Sequence, residues 1–224
     1  MINKKLAYIF LILLCFSCKS NKEKQQSKTY TDVVSIAAMK DVMWKGELFS
    51  KIKLDTIKPK NGLYGLGPEA YLRGEIVINN GKTYVSRVLT DSTMAVNEIA
   101  DAEAPFFVYA NVNEWNAVKL PSSVTSIKDL ETFIDSETKD KKRPFTFKLD
   151  GNISKATIHI QNLPKGTKVS SPKEAHQGQI NYQLESEDVE IIGFFSTEHQ
   201  GIFTHHDSFL HMHLISKDKT KWVI

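Results

Sequence analysis

Short runs in which apolar or β-branched residues recur at alternate positions dominate the chain, and they predict strands. Residues 30–36 alternate in this way. Residues 72–78 (LRGEIVI) and 82–89 (KTYVSRVL) flank Asn79-Asn80-Gly81, and Asn-Gly between two such runs predicts a tight hairpin. Further strands are expected over 106–112, 114–120, 189–195 and 209–215. A second hairpin is expected from 144–149 and 156–161 around Asp150-Gly151. Helical spacing is rarer. Residues 37–44 carry Ala, Met, Val and Met at that spacing and predict a short helix. Ser126, followed three residues on by Asp129, forms a variant capping box. With Leu130, Phe133 and Ile134 it predicts an amphipathic helix over 127–137. Residues 58–62 (KPKNG) read as a turn and 63–68 as a Gly-rich segment. Residues 138–143 read as a charged linker, and 162–179, with Pro164, Gly166 and Pro172, as a long irregular connection. Strands outnumber helices, so the expected fold class is α+β, with mixed or antiparallel β-sheets and a few short helices.

The N-terminus follows a different pattern. Lys4 and Lys5 precede an unbroken apolar run over 6–16, the length of a signal-peptide core and short of the roughly 20 residues a spanning helix needs. It ends in Ser17-Cys18, the pattern of a bacterial lipoprotein signal. The expectation is a signal peptide over 1–17, a lipid on the Cys18 thiol, a polar tether over 18–29 and a domain over 30–224, with a sub-domain split near 138–144. The plainer alternative is a secretory signal with an incidental cysteine. Under the lipoprotein reading the protein is exported and held at the periplasmic or surface face of a bacterial membrane through its lipid alone.

Composition narrows the rest. With 41% hydrophobic and 25% charged residues, the chain is not collagen-like, disordered or coiled-coil. Its formal charge of +3 (29 − 26) falls to +1 without Lys4 and Lys5, which gives no support for a nucleic-acid partner. Both cysteines, Cys15 and Cys18, lie in the signal. The domain therefore has no disulfide, no cysteine nucleophile and no thiolate metal site.

Histidine carries the strongest chemical signal. Five of the 7 histidines fall between His199 and His213. On a strand, residues two apart share a face, so His211 and His213 present two imidazoles side by side. Neutral imidazole suits zinc, copper, iron and nickel. The plain alternative makes them solvent-facing residues alternating with core-facing Leu210, Met212 and Leu214.

Four segments together resemble an α-acetolactate decarboxylase: Gly62-Leu63-Tyr64-Gly65-Leu66-Gly67; Leu72-Arg73-Gly74-Glu75-Ile76-Val77 with its Asn80-Gly81-Lys82-Thr83-Tyr84 turn; Ile192-Gly193-Phe194-Phe195 with Thr197-Glu198; and His211-Met212-His213-Leu214. The resemblance runs from about residue 30 to about residue 220. It implies metal-dependent decarboxylation of a 2-hydroxy-3-oxo acid, α-acetolactate to acetoin, with zinc or another divalent transition metal on His211 and His213. It places Glu75 in the pocket as a carboxylate that steers or transfers a proton; otherwise Glu75 is an exposed carboxylate pairing with Arg73 or Lys82. The family's third histidine, expected after His213, has no counterpart in 217–224, which reads as a C-terminally shortened member. His205, His206 or His199 then supplies the third ligand, and His205 shares strand parity with His211 and His213. The family's active-site arginine has no equivalent, and His159 falls nearest. The implied partner is a small-molecule substrate, and the family implies a homodimer. The alternatives are a non-catalytic metal- or ligand-binding lipoprotein that keeps the fold, and a structural lipoprotein with surface histidines.

Overall fold

The computed structural model describes residues 32–221; the signal, Cys18 and the tether lie outside the described residues. The strands are β1 (Val34–Ile36), β2 (Ile52–Lys53), β3 (Leu63–Pro68), β4 (Glu75–Asn79), β5 (Lys82–Thr90), β6 (Thr93–Glu98), β7 (Glu103–Ala104), β8 (Phe107–Asn111), β9 (Phe145–Ile160), β10 (Ile180–Phe195) and β11 (Leu210–Ser216). The α-helices are α1 (Met39–Lys45), α2 (Ile127–Glu137) and α3 (Pro172–Ala175). One sheet has the order β1-β8-β3-β4-β5-β6, a second β11-β10-β9, and a ribbon joins β2 to β7. Every pairing between these strands is antiparallel. The fold is α+β, as expected.

Strands β3, β4 and β8 are buried at every residue, so the large sheet is covered on both faces at its centre. On one face Leu66, Val77 and Val108 meet Ile192, Phe194 and Ile215 of the three-stranded sheet. On the other, Ile76, Ile78 and Phe107 meet Leu54 and Ile57. The two-residue period then decides where the polar groups go. Glu75 shares the inner face of β4 with Val77, and His211 and His213 share the inner face of β11 with Ile215. Residues of opposite chemistry are thus brought together between two sheets.

Local signals explain several elements. Asn80 and Gly81 both have positive φ (48° and 85°), which suits the right-handed twist of the flanking strands. At α2 the Ser126 hydroxyl accepts a hydrogen bond from the Asp129 N–H at 3.1 Å, and the Asp129 carboxylate accepts from the Ser126 N–H at 3.0 Å. The helix lays Leu130 and Ile134 over Phe195 and Leu210.

Elsewhere the structure corrects the sequence reading. Residues 144–161 form no hairpin. Phe145–Ile160 form one strand, β9, paired with β10 along its length, with Asp150 opposite Glu190 and Gly151 opposite Val189. Neither Asp150 nor Gly151 has the left-handed φ of a tight turn. Strand β10 begins at Ile180, nine residues before the expected start, and supplies the partner that keeps β9 extended. At Gly193 on β10 an added Cβ would stand 2.1 Å from the Phe147 ring, so only glycine lets that ring cross the strand. Residues 114–120 are not a strand either. The Asn111 amide donates to the carbonyls of Pro59 and Asn61 at 3.2 and 3.0 Å, ending β8 there, and Val118 and Leu120 are exposed. The Gly-rich segment 63–68 is a buried strand, and β6 was not anticipated.

Glu131, buried on α2, holds the chain entering β11. It accepts from the Ser208 hydroxyl at 2.8 Å and the Phe209 N–H at 2.7 Å, and pairs with Lys128. Burial pushes its carboxyl up, but these bonds outweigh it and hold it below the ordinary value. Glu131→Ala strands the Phe209 N–H and is expected to lower stability by about 1–3 kcal/mol. Urea unfolding checks this; a change within about 0.5 kcal/mol would show the contact to be dispensable.

Candidate functional site

Strand β11 lies at the edge of the three-stranded sheet, with His211 opposite Phe194 and His213 opposite Ile192 on β10. Both imidazoles are buried, with ring centres 5.0 Å apart and planes at 80°. The Nδ1–H of His213 donates to the Ile76 carbonyl of β4 at 2.9 Å, which leaves the Nε2 lone pair free. His211 Nδ1 is buried without a hydrogen-bond partner. Desolvation pushes His213 down to about 3 and His211 well below its ordinary value, so both rings are neutral and hold lone pairs to offer.

Glu75 stands opposite. Its Oε2 is 3.8 Å from His213 Nε2, and its Oε1 accepts from the Gln161 N–H at 3.3 Å. It pairs with neither Arg73 nor Lys82; Lys82 bonds Glu98 instead. Burial raises the Glu75 carboxyl to about 8, partly opposed by the Gln161 bond.

Glu75, His159, His205, His211 and His213 line one cavity of about 70 Å³, together with Gln161 and His176. His159 comes from the end of β9; burial and then the nearby His205 and His176 push it down to about 4. His205 stands at the exposed rim, its ring centre 5.6 Å from that of His211. Its loop is pinned at several points. The first two N–H groups of α1, at Met39 and Lys40, donate to the carbonyls of Ile202 and Gly201 at 2.7 and 2.8 Å. The other candidates point elsewhere. His199 bonds the Ser196 hydroxyl at 2.7 Å and stacks on Phe203, and His206 is exposed beside Asp207. Sequence reasoning missed His176 and Gln161. Both sit in or beside the irregular 162–179 connection, where no periodicity signals a direction.

Two imidazoles on one tetrahedral ion have ring centres roughly 5 Å apart, given zinc–nitrogen bonds of about 2.0–2.1 Å. The spacings of 5.0 and 5.6 Å around His211 suit such a site, and so does the orphaned His211 Nδ1. Among the described residues, no three His, Cys, Asp or Glu side chains already converge as a ligand set.

Residues 34–221 match the family model of alpha-acetolactate decarboxylase. The chain belongs to the alpha-acetolactate decarboxylase family. Solved structures agree in fold. The alpha-acetolactate decarboxylase of Bacillus subtilis strain 168 superposes with a TM-score of 0.70 at 22% identity, covering 86% of this chain and 79% of that one. The acetolactate decarboxylase of Bacillus subtilis subspecies spizizenii gives 0.70 and 22%, with 86% and 80% covered. A Staphylococcus aureus protein of unknown function, similar to alpha-acetolactate decarboxylase, gives 0.68 and 16%, with 86% and 79% covered. No curated protein sequence matches. In this family member, the cavity between the two sheets is where the predicted site residues meet.

Glu75 generates a pH prediction for the metal-free protein. Its folded value of about 8 lies above the ordinary 4.5, so the folded state keeps a proton that the unfolded chain releases. The associated stability is complete below about pH 4.5 and is lost as pH rises through about 8. Glu75→Gln removes that loss. The variant is therefore expected to gain stability over wild type by roughly 2–4 kcal/mol between about pH 5 and about pH 8. Urea unfolding across that range checks it; a pH-independent difference refutes it.

Proposed function

We propose that this protein decarboxylates 2-hydroxy-3-oxo acids, α-acetolactate to acetoin among them, at a divalent transition-metal site such as zinc held by His211, His213 and His205. The observation that carries this reading is the pair of buried imidazoles with free lone pairs facing a buried carboxyl across one cavity. His213 is already oriented by its bond to the Ile76 carbonyl, His211 stands beside it on the same face of β11, and His205 completes the set by turning inward from the rim. Bound there, the ion supplies Lewis acidity to the substrate's carbonyl and hydroxyl oxygens.

The protein's own groups do the rest. The bond from the substrate's second carbon to its carboxylate breaks, CO2 leaves, and the electron pair passes into an enediolate. Glu75, the carboxyl within the cavity, moves the proton to carbon and recovers it from solvent. His159, which lines the cavity, contacts the substrate where the family has an arginine. Buried walls around these groups strengthen each electrostatic contact.

A non-catalytic metal- or ligand-binding role is the second reading. It is favoured by one observation: no lysine or arginine lines the cavity to hold the substrate carboxylate. Both readings keep the anchor. The protein is exported and tethered by a lipid on Cys18, and no helix among the described residues is long and apolar enough to cross a membrane.

Metal analysis followed by an acetoin assay on racemic acetolactate tests the proposal. His211→Ala or His213→Ala is expected to abolish stoichiometric metal and turnover in a folded protein. His205→Ala is expected to weaken metal binding at least tenfold, which is about 1.4 kcal/mol. Metal binding without acetoin would favour the second reading, and absence of binding at micromolar metal would sink the decarboxylase reading and leave a non-catalytic role. For the anchor, Cys18→Ala is expected to move the protein out of the membrane fraction. Unchanged fractionation and processing would refute it.

A further inference from the structure

A groove of about 480 Å³ opens beside the imidazole cavity and shares His159, His205, His211 and Met212 with it. Its walls are mostly apolar. Ile127 and Leu130 of α2, Ile153, Ala156 and Ile158 of β9, and Leu214 of β11 line it. No lysine or arginine lines either space. The cavity of about 70 Å³ is much the smaller of the two spaces, and the reacting head of a hydroxy-oxo acid belongs in it, against the imidazoles. A five-carbon acid would leave the groove empty and would find no fixed cation for its carboxylate.

Resting on the decarboxylase reading, we propose that the groove seats an apolar arm of the substrate. The preferred substrates are 2-hydroxy-3-oxo acids whose second carbon carries an alkyl chain of about six carbons in place of methyl. Three observations carry this. The groove shares His159, His205, His211 and Met212 with the cavity, so an arm on the second carbon that passes these residues enters it while the head stays against His211 and His213. Its apolar lining supplies binding energy that grows with chain length, where no lysine or arginine meets the carboxylate. Its outer end is open, with Ile127 62% exposed, so arms of different length fit. Each methylene moved from water into an apolar wall is worth about fourfold in affinity.

The test separates the arm from the chemistry. Calorimetric titration of the metal-loaded, full-chain protein uses two non-reacting probes, the 2-methyl and 2-hexyl forms of a 2,3-dihydroxy acid. The hexyl form is expected to bind at least tenfold more tightly. Ala156→Phe, which fills the groove, and Ile127→Asp, which sets a charge at its exposed mouth, are each expected to cut that preference at least threefold. The second variant keeps the test decisive if the first fails to fold. Equal or weaker hexyl binding by the wild type overturns the proposal, as does a preference that survives both variants. A dimer that Ile127→Asp splits, with no arm preference, overturns it as well, because the groove is then a contact between copies. CO2 release from the corresponding oxo acids is read in parallel. Hexyl preference without CO2 release supports the groove and removes the decarboxylase reading. CO2 release without arm preference does the reverse.

Discussion

The hydrogen bond from His213 to the Ile76 carbonyl ties β11 to β4 across the interior, and the site depends on it. It joins the two sheets at the level of Glu75. It also sets which ring nitrogen of His213 carries the proton, and so which lone pair faces the cavity. Burial does the complementary work. A buried imidazole is costly to charge, so desolvation keeps both rings neutral without a nearby anion to balance them. The same burial holds a proton on Glu75. The polarity of the cavity thus follows from the packing of two apolar sheets. The unpartnered Nδ1 of His211 marks the cost of that arrangement, about 1–3 kcal/mol for an unsatisfied buried group, which a ligand would offset.

Around this fixed pair stands a less buried frame. The chain from 196 to 209 leaves β10, carries His205 past the cavity mouth and enters β11. It is held at one end by the Phe209 carbonyl, which accepts from the Ser196 N–H at 2.9 Å, and at the other by Glu131. Between these ties the carbonyls of Gly201 and Ile202 satisfy N–H groups that the first turn of α1 cannot. His205 lies beyond these anchors, at the rim. The two buried imidazoles are set by strand geometry, and the third comes from an exposed position on a loop. Sites built on strands are held more accurately than sites built on loops.

The electrostatic character of the site separates it from one built on charge pairs. The cavity holds one carboxyl, five imidazoles and no lysine or arginine. Recognition therefore leans on neutral donors and acceptors, on whatever ion the imidazoles hold, and on the apolar groove along β9 and α2. Charged recognition is screened by salt and reaches far; apolar recognition acts only at contact and depends on shape. The geometry of the 120–130 segment, which forms one wall of the groove, matters for that reason, and the capping box at Ser126 fixes where that wall begins.

Features decided by neighbours in the chain were legible in the sequence: the Asn80-Gly81 turn, the start of α2 at its capping box, and the shared face of His211 and His213. Each depends on interactions within a few residues. Features decided by distant partners were not. Asp150-Gly151 reads as a turn, yet β10 holds it extended, because a long partner strand offers backbone bonds that a turn would forfeit. Residues 114–120 alternate like a strand, yet no strand pairs with them. Glu75 reads equally well as a surface carboxylate. Only the closing of one sheet on the other buries it, removes its water and brings it to His213. The same closure gathers His159 and Gln161 from the end of β9 and His176 from the connection that follows. Local pattern determined which groups shared a face; tertiary packing decided which faces met, because burial is a property of the partner as much as of the residue.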